Sequence, residues 1–470
     1  MDYHMPVSEF LKAQIDLEDF YGKLYPRLKE LDQKHGFFVT LAEKPHKPTR
    51  DGNLKGLPIS VKDNICVQGL PCTAGSRILE TYRPPFDSTV SHKVKGEGGV
   101  IVGKTQQDEF GFGTFCTNSG FKVPKNPLDT SRSCGGSSGG AAGLAAALDF
   151  PHIALGQSTG GSISAPASFC GVVGLTPTYG LVSRYGLIDY ANSLDKIGPI
   201  GKSVQDVALM LSVIAGHDHK DSTSLGQKAT ESPSNKGEHH AYARHLESPV
   251  KGMKIGVPKE YFGEGVDEKV SERVWAGIKA LEGQGVHYEE ISLPNTKHAL
   301  SAYYIIACAE ASTNLAKFCG MRYGAEQPVD GSFNEYFSQV RSSHFGEEAK
   351  RRILLGTYAR MAGFRDRFYL KAMQARTLII QEFQKAFSKY DVLLAPTMPI
   401  IAPKFSEIEA LSPVENYMMD VLTVAPNLAG IPHLTVPCGH AHSMPVGLHI
   451  MGGHLQEPKV LQIGSCLEKN

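Results

Sequence analysis

GGSSGG at residues 135–140 and STGGS at residues 158–162 decide how this chain reads, once they are set beside the lone lysine of SVKDN, Lys62. A serine hydroxyl is a weak nucleophile until a base takes its proton. A lysine amine can be that base if burial strips its hydration and lowers its pKa. The run Gly56-Leu57-Pro58-Ile59-Ser60-Val61 reads as a short buried strand, which places Lys62 at a strand end inside the core. Glycines around Ser137, Ser138 and Ser162 permit positive φ and leave backbone N–H groups uncovered. The N–H groups of the turn Thr159, Gly160, Gly161 to Ser162 are therefore candidates for an oxyanion hole.

The stretch from Gly56 to about Gly216 resembles the amidase signature family, whose members use a Lys, Ser, Ser triad. Carried over residue by residue, Lys62 falls on the family's lysine and Ser162 on its acyl-forming serine. Ser137 falls on the relay serine that the family holds after a cis peptide bond, with Ser138 as the alternative. Three phrases extend the resemblance: GFGTFCTNSG (111–120), GLTPTYGLVSRYGLIDYANSLDKIGP (174–199) and NLAGIPHLTVPCG (427–439). They are similar to the branch formed by the A subunits of tRNA-dependent amidotransferases. That branch releases ammonia from glutamine to convert Asp-tRNA(Asn) or Glu-tRNA(Gln) to the amide form.

The resemblance implies that Tyr303, Arg352 and Asp420 hold free glutamine. An arginine can fork onto the α-carboxylate, and a carboxylate can accept from the α-ammonium. Arg351 is the alternative to Arg352, and Tyr303 and Asp420 have plain readings as a core residue beside Tyr304 and as a local cap. The same resemblance implies B and C partner subunits in a heterotrimer. ATP and magnesium would sit on the B subunit, with no cofactor in this chain, and misacylated tRNA would be held mainly by that subunit. Two other readings stand beside it: a free-standing small-amide amidase, and a non-catalytic scaffold subunit. Ser158, Ser164 and Thr176 depart from the Asp, Arg and Lys common in the wider family, an acid and two bases whose joint loss would leave no buried charge unpaired.

Other signals read as structure. Gly98 to Thr105 formally matches GxxxxGK[ST], but its Val-Ile-Val centre is strand-like, which argues against a phosphate loop. His217, His219, His239, His240 and His245 lie in or beside a polar stretch without ligand spacing, so a loop is expected there. Nine cysteines, an odd number with no CxxC pair, suit reduced thiols in a cytoplasmic protein, and Cys134 reads as packing. Lys plus Arg and Asp plus Glu both number 48, so the chain lacks the basic excess of a protein that grips RNA alone. No uncharged run approaches the roughly 20 apolar residues of a membrane helix, and the N-terminus does not read as a signal peptide.

Alternating short strands and helical stretches predict an α/β fold, which the resemblance sharpens to a mixed β-sheet covered by helices on both faces. Residues 1–48 read as a helical lead-in. Residues 49–470 read as a single catalytic domain with a polar loop at about 218–250, because the two halves of the proposed site flank that loop.

Overall fold

The computed structural model describes residues 3–43, 50–227 and 242–469. Residues 228–241 of the expected polar loop, with His239 and His240, lie outside the described residues. The strands are β1 (Phe38–Leu41), β2 (Pro58–Lys62), β3 (Val100–Thr105), β4 (Ile153–Ser158), β5 (Val173–Thr176) and β6 (Lys196–Gly201) in the first half. The second half adds β7 (Lys254–Pro258), β8 (His287–Ile291), β9 (Val392–Pro396), β10 (His433–Ala441) and β11 (Met444–Gly452). Among the described residues they form one sheet in the order β1-β3-β2-β4-β6-β5-β10-β11-β9-β7-β8. It is mixed: β2 runs parallel to β3 and β4, β7 runs parallel to β8 and β9, and β10 and β11 form an antiparallel hairpin.

Helices cover both faces, and the side-chain period of two shows why. On β10, Leu434 and Val436 point one way, where the helices Val204–Ile214 and Glu457–Glu468 approach so closely that a Cβ on Gly464 would meet all three elements. His433 and Thr435 point the other way, toward the helix Ser164–Cys170, whose Ser164 Oγ lies 3.2 Å from His433 Nδ1. Further helices on this second side, Ala299–Asn314, Glu347–Arg360 and Val424–Ala429, bring residues distant in sequence over the strand ends of the first half. The lead-in holds the helix Leu17–His35 and also contributes an edge strand, β1, paired antiparallel with β3.

The GxxxxGK[ST] match ends inside β3, with Lys104 buried against Asp63 at 3.4 Å. Cys134 is fully buried, and burial pushes its thiol well above the ordinary value.

Candidate active site

Strand β2 delivers Lys62 from the core to the centre of the site, where the side chain is fully buried. Its Nζ lies 2.7 Å from Ser137 Oγ, 2.9 Å from the Gln157 carbonyl oxygen and 3.1 Å from Gln157 Oε1. Burial lowers the amine from its ordinary 10.5 to about 7, opposed by Cys116, Asp108 and Asp195 nearby. A good fraction of Lys62 is therefore neutral at neutral pH, as a proton acceptor must be. The Gly136–Ser137 peptide bond is cis. Of the two adjacent serines Ser137 faces the lysine, whereas Ser138 Oγ donates to the Gln157 carbonyl at 3.2 Å.

Ser162 sits on the turn between β4 and the helix Ser164–Cys170, with 6% of its surface exposed. Its carbonyl accepts from Ser138 N at 3.2 Å, which ties the two glycine-serine strings together. No hydrogen bond joins the Ser137 and Ser162 hydroxyls, and catalytic hydrogen bonds of this kind often tighten only around substrate. Among the described residues, the backbone N–H groups of Gly160, Gly161 and Ser162 donate to no protein group and so are available to an oxyanion. The glycines serve close approach more than positive φ. In the two strings only Gly135 has a positive φ, whereas a Cβ on Gly160 would lie 2.4 Å from Tyr303 Cζ and one on Gly161 2.4 Å from Thr423 Oγ1.

The three residues expected to hold substrate come from the second half: Tyr303 and Arg352 from helices, Asp420 from the turn between the helices Pro413–Met418 and Val424–Ala429. Tyr303 OH is 3.1 Å from Thr159 Oγ1, and burial pushes its phenol up to about 12. Asp420 accepts from Thr114 Oγ1 at 2.9 Å and from Tyr304 OH at 2.6 Å. Burial raises its carboxyl above the usual range, and those two hydrogen bonds oppose the rise. Arg352 is buried at 3% exposure while Arg351 is 40% exposed, so the buried cation is Arg352.

Arg352 Nε donates to Glu348 Oε1 at 2.7 Å and its NH1 donates to Tyr190 OH. Its guanidinium lies over the rings of Phe112, Tyr190, Tyr304 and Tyr417 at 5.1 to 5.7 Å. The cage holds the charged form firmly. A cavity of about 690 Å³ opens beside it, with Arg352, Glu348 and Tyr417 on its wall.

Several residues of the site escaped the sequence reading. Glu348 stands four residues before Arg352 on one helix, an i,i+4 pair that is visible in sequence but common on any surface helix. Tyr304 figures in the sequence reading only as the neighbour of Tyr303, yet its hydroxyl holds Asp420. Gln157 and Asp195 had no local signal. Gln157 Nε2 donates to Asp195 Oδ1 at 2.9 Å, and Asp195 Oδ2 accepts from the N–H groups of Tyr190 and Ala191.

The three departing positions cluster as an uncharged polar layer, but the layer does not leave the core free of ionisable amines. Ser158 Oγ and Thr176 Oγ1 are buried without hydrogen bonds, and so is the amine of Lys196, opposite Ser158 across β4 and β6. Burial lowers Lys196 to about 7, so a good fraction of this unpaired amine is neutral at neutral pH. Among the described residues, no group of three His, Cys, Asp or Glu side chains is placed to hold a metal, and no helix is long and apolar enough to cross a membrane.

A mixed sheet presenting a buried lysine and two serines on glycine-rich turns is the arrangement of one class of hydrolase, and the chain belongs to it: the Amidase family, whose sequence model matches residues 39–461. Within that family it is 47% identical over 463 residues to the glutamyl-tRNA(Gln) amidotransferase A subunit of Halothermothrix orenii, covering 97% of this chain and 94% of the relative. The protein of the same name in Methanococcoides burtonii is 50% identical over 419 residues, covering 89% of this chain and 85% of the relative. The crystal structure of the glutamyl-tRNA(Gln) amidotransferase A subunit from Thermotoga maritima superposes with a TM-score of 0.83 at 38% identity, covering 100% of this chain and 96% of that one. The native peptide amidase of Stenotrophomonas maltophilia superposes with a TM-score of 0.78 at 28% identity, covering 98% and 95%.

Proposed function

We propose that this chain is the glutamine-hydrolysing subunit of a tRNA amidotransferase, supplying ammonia for the amidation of Glu-tRNA(Gln) or Asp-tRNA(Asn). The observation that supports the reading is the joint presence of buried Arg352 and buried Asp420 on either side of Tyr304, whose ring lies under the guanidinium and whose hydroxyl donates to the carboxyl. A free α-amino acid carries one carboxylate and one ammonium, and a pocket for neutral amides has no use for both charges. The names of its relatives point the same way.

In the chemistry this supports, Arg352 takes the α-carboxylate of glutamine and Asp420 the α-ammonium, while Tyr303 lines the pocket at the turn. Neutral Lys62 takes the Ser137 proton as Ser137 takes the Ser162 proton, and Ser162 Oγ bonds to the side-chain amide carbon. The N–H groups of the Thr159 to Ser162 turn stabilise the negative oxygen. The proton returns through Ser137 to the leaving nitrogen, ammonia departs, and water cleaves the ester by the same relay in reverse, so glutamine and water become glutamate and ammonia. Partner B and C subunits, with ATP and magnesium on the B subunit, would consume the ammonia in the cytoplasm.

The test is glutamine hydrolysis by the chain with and without those partners. Their presence stimulates it, and Ser162→Ala and Lys62→Ala each reduce it by about 10³-fold or more. Full activity in Ser162→Ala refutes the nucleophile. Rapid turnover of simple amides, with no effect of partners, instead identifies a free-standing amidase.

A further inference from the structure

We propose that Gln157 is a positioning residue that sets the direction of the proton between Ser137 and Lys62, and that Asp195 locks the Gln157 amide in the orientation this requires. The proposal rests on the Lys, Ser, Ser chemistry above and identifies what aims it.

Lys62 Nζ has three oxygen partners: the Gln157 carbonyl, Gln157 Oε1 and Ser137 Oγ. A neutral amine has two N–H groups and one lone pair. The two Gln157 oxygens can only accept, so they take the two N–H groups. The lone pair is left for the one partner that can donate, the Ser137 hydroxyl. Gln157 thereby points the base at the relay serine from both its main chain and its side chain.

The surroundings decide which end of the Gln157 amide faces the lysine. Gln157 Nε2 donates to Asp195 Oδ1 at 2.9 Å, and Asn64 Nδ2 donates to Gln157 Oε1 at 3.1 Å. Asn64 Oδ1 is buried without a partner, so the Asn64 amide can turn and does not fix the arrangement. Asp195 does fix it. Its other oxygen accepts from two backbone N–H groups, at 2.9 Å from Tyr190 and 3.0 Å from Ala191, so both oxygens face donors. Burial pushes the Asp195 carboxyl up to about 8, against the Tyr190 and Ala191 N–H groups that hold it down. With Asp195 ionised, reversing the Gln157 amide would set an oxygen against a carboxylate and aim N–H groups at the Lys62 lone pair. The amine would then be occupied by Gln157 and unavailable to Ser137.

Asp195→Asn separates this from packing, because it keeps shape and turns the accepting Oδ1 into a donating Nδ2. The negative charge it also removes raises Lys62, so losing that charge favours the neutral amine and works against the expected fall in rate. Its oxygen stays on the Tyr190 and Ala191 N–H groups, its Nδ2 faces Gln157, and the Gln157 amide reverses. The readouts on the full chain are kcat and KM for glutamine, and the rate at which a fluorophosphonate labels Ser162, which needs the relay but no glutamine.

Asp195→Asn lowers kcat and the labelling rate by about 100-fold while KM stays within about twofold. Rates within threefold of wild type overturn the proposal. Should Asp195→Asn fail to fold, the pH at half-maximal labelling in two Gln157 variants decides. The ionisable groups near Lys62 are Asp108, Cys116 and Asp195, and all are kept in both variants. Gln157→Met removes an acceptor from the ammonium and moves the acid limb about one pH unit down, whereas Gln157→Glu adds a negative charge and moves it up by about as much. A limb that stays put, or moves the same way in both, overturns the proposal. A wild type labelled at Ser162 that does not hydrolyse glutamine refutes the glutaminase reading and leaves this one standing. A wild type not labelled there refutes both.

Discussion

Replacing Lys62 by methionine removes the proposed base together with the cost of burying its amine, and the pH dependence of that cost follows from burial. An unfolded lysine holds its proton up to about pH 10.5, whereas folded Lys62 releases it near 7. Between those values the unfolded state binds one more proton than the folded state, so wild-type stability rises with pH across this window. Burying the amine costs about 4 kcal/mol at pH 7 and about 2 kcal/mol at pH 9, at 1.36 kcal/mol per pH unit. A methionine at this position has no such cost. It loses the bonds to Ser137 and Gln157, worth about 1 kcal/mol each, a loss that depends little on pH. The stability difference between Lys62→Met and wild type should therefore narrow by about 2 kcal/mol from pH 7 to pH 9. Urea unfolding at both pH values, with a shared slope, measures that narrowing and cancels the hydrogen-bond loss. A difference that does not change with pH means Lys62 is charged in the folded protein, and the base assignment fails.

The rate of Ser162 acylation should follow the same proton: kcat/KM for glutamine rises with pH, levels off above 7, and at pH 6 stands at about a tenth of its plateau, as a pH-rate profile reads directly. Gly160→Ala puts a Cβ 2.4 Å from the Tyr303 ring, so the turn or the ring must move; kcat falls about 10²-fold and stability by about 1–3 kcal/mol, measured by steady-state kinetics and urea unfolding. Tyr304→Phe removes the 2.6 Å hydrogen bond that holds the Asp420 carboxyl down against burial, so its pKa rises. KM for glutamine then climbs, as pH falls, at a higher pH than in wild type.

The legible parts of this molecule were those whose cause is local. Gly139 to Leu148 read as a helix and Lys254 to Pro258 as a strand because their apolar patterns are strong, and the structure places them at Gly139–Ala147 and Lys254–Pro258. Lys62 and Ser137 read as partners through the family resemblance that their apolar and glycine-rich settings carry, and the structure places them 2.7 Å apart. Arg352 and Arg351 were indistinguishable side by side, since a helix turns by about 100° per residue and only packing says which one enters the core. Tyr304, Glu348, Gln157 and Asp195 escaped for a similar reason: each acts through a polar contact with a group on another element or another turn, and nothing in its own neighbourhood announces it.

Taken alone, the sequence determined the chemistry on offer: a lysine at the end of an apolar strand and serines on two glycine turns. Those follow from side-chain identity and short-range spacing. Tertiary structure decided the rest. Burial made the lysine a weak base, because removing water penalises the ammonium more than the amine. Folding the second half over the first brought Arg352 and Asp420 to the serine turn, because long-range packing alone sets which residues meet. The Asp195 carboxylate, 38 residues beyond Gln157, set the orientation of an amide whose two ends look alike until a partner distinguishes them.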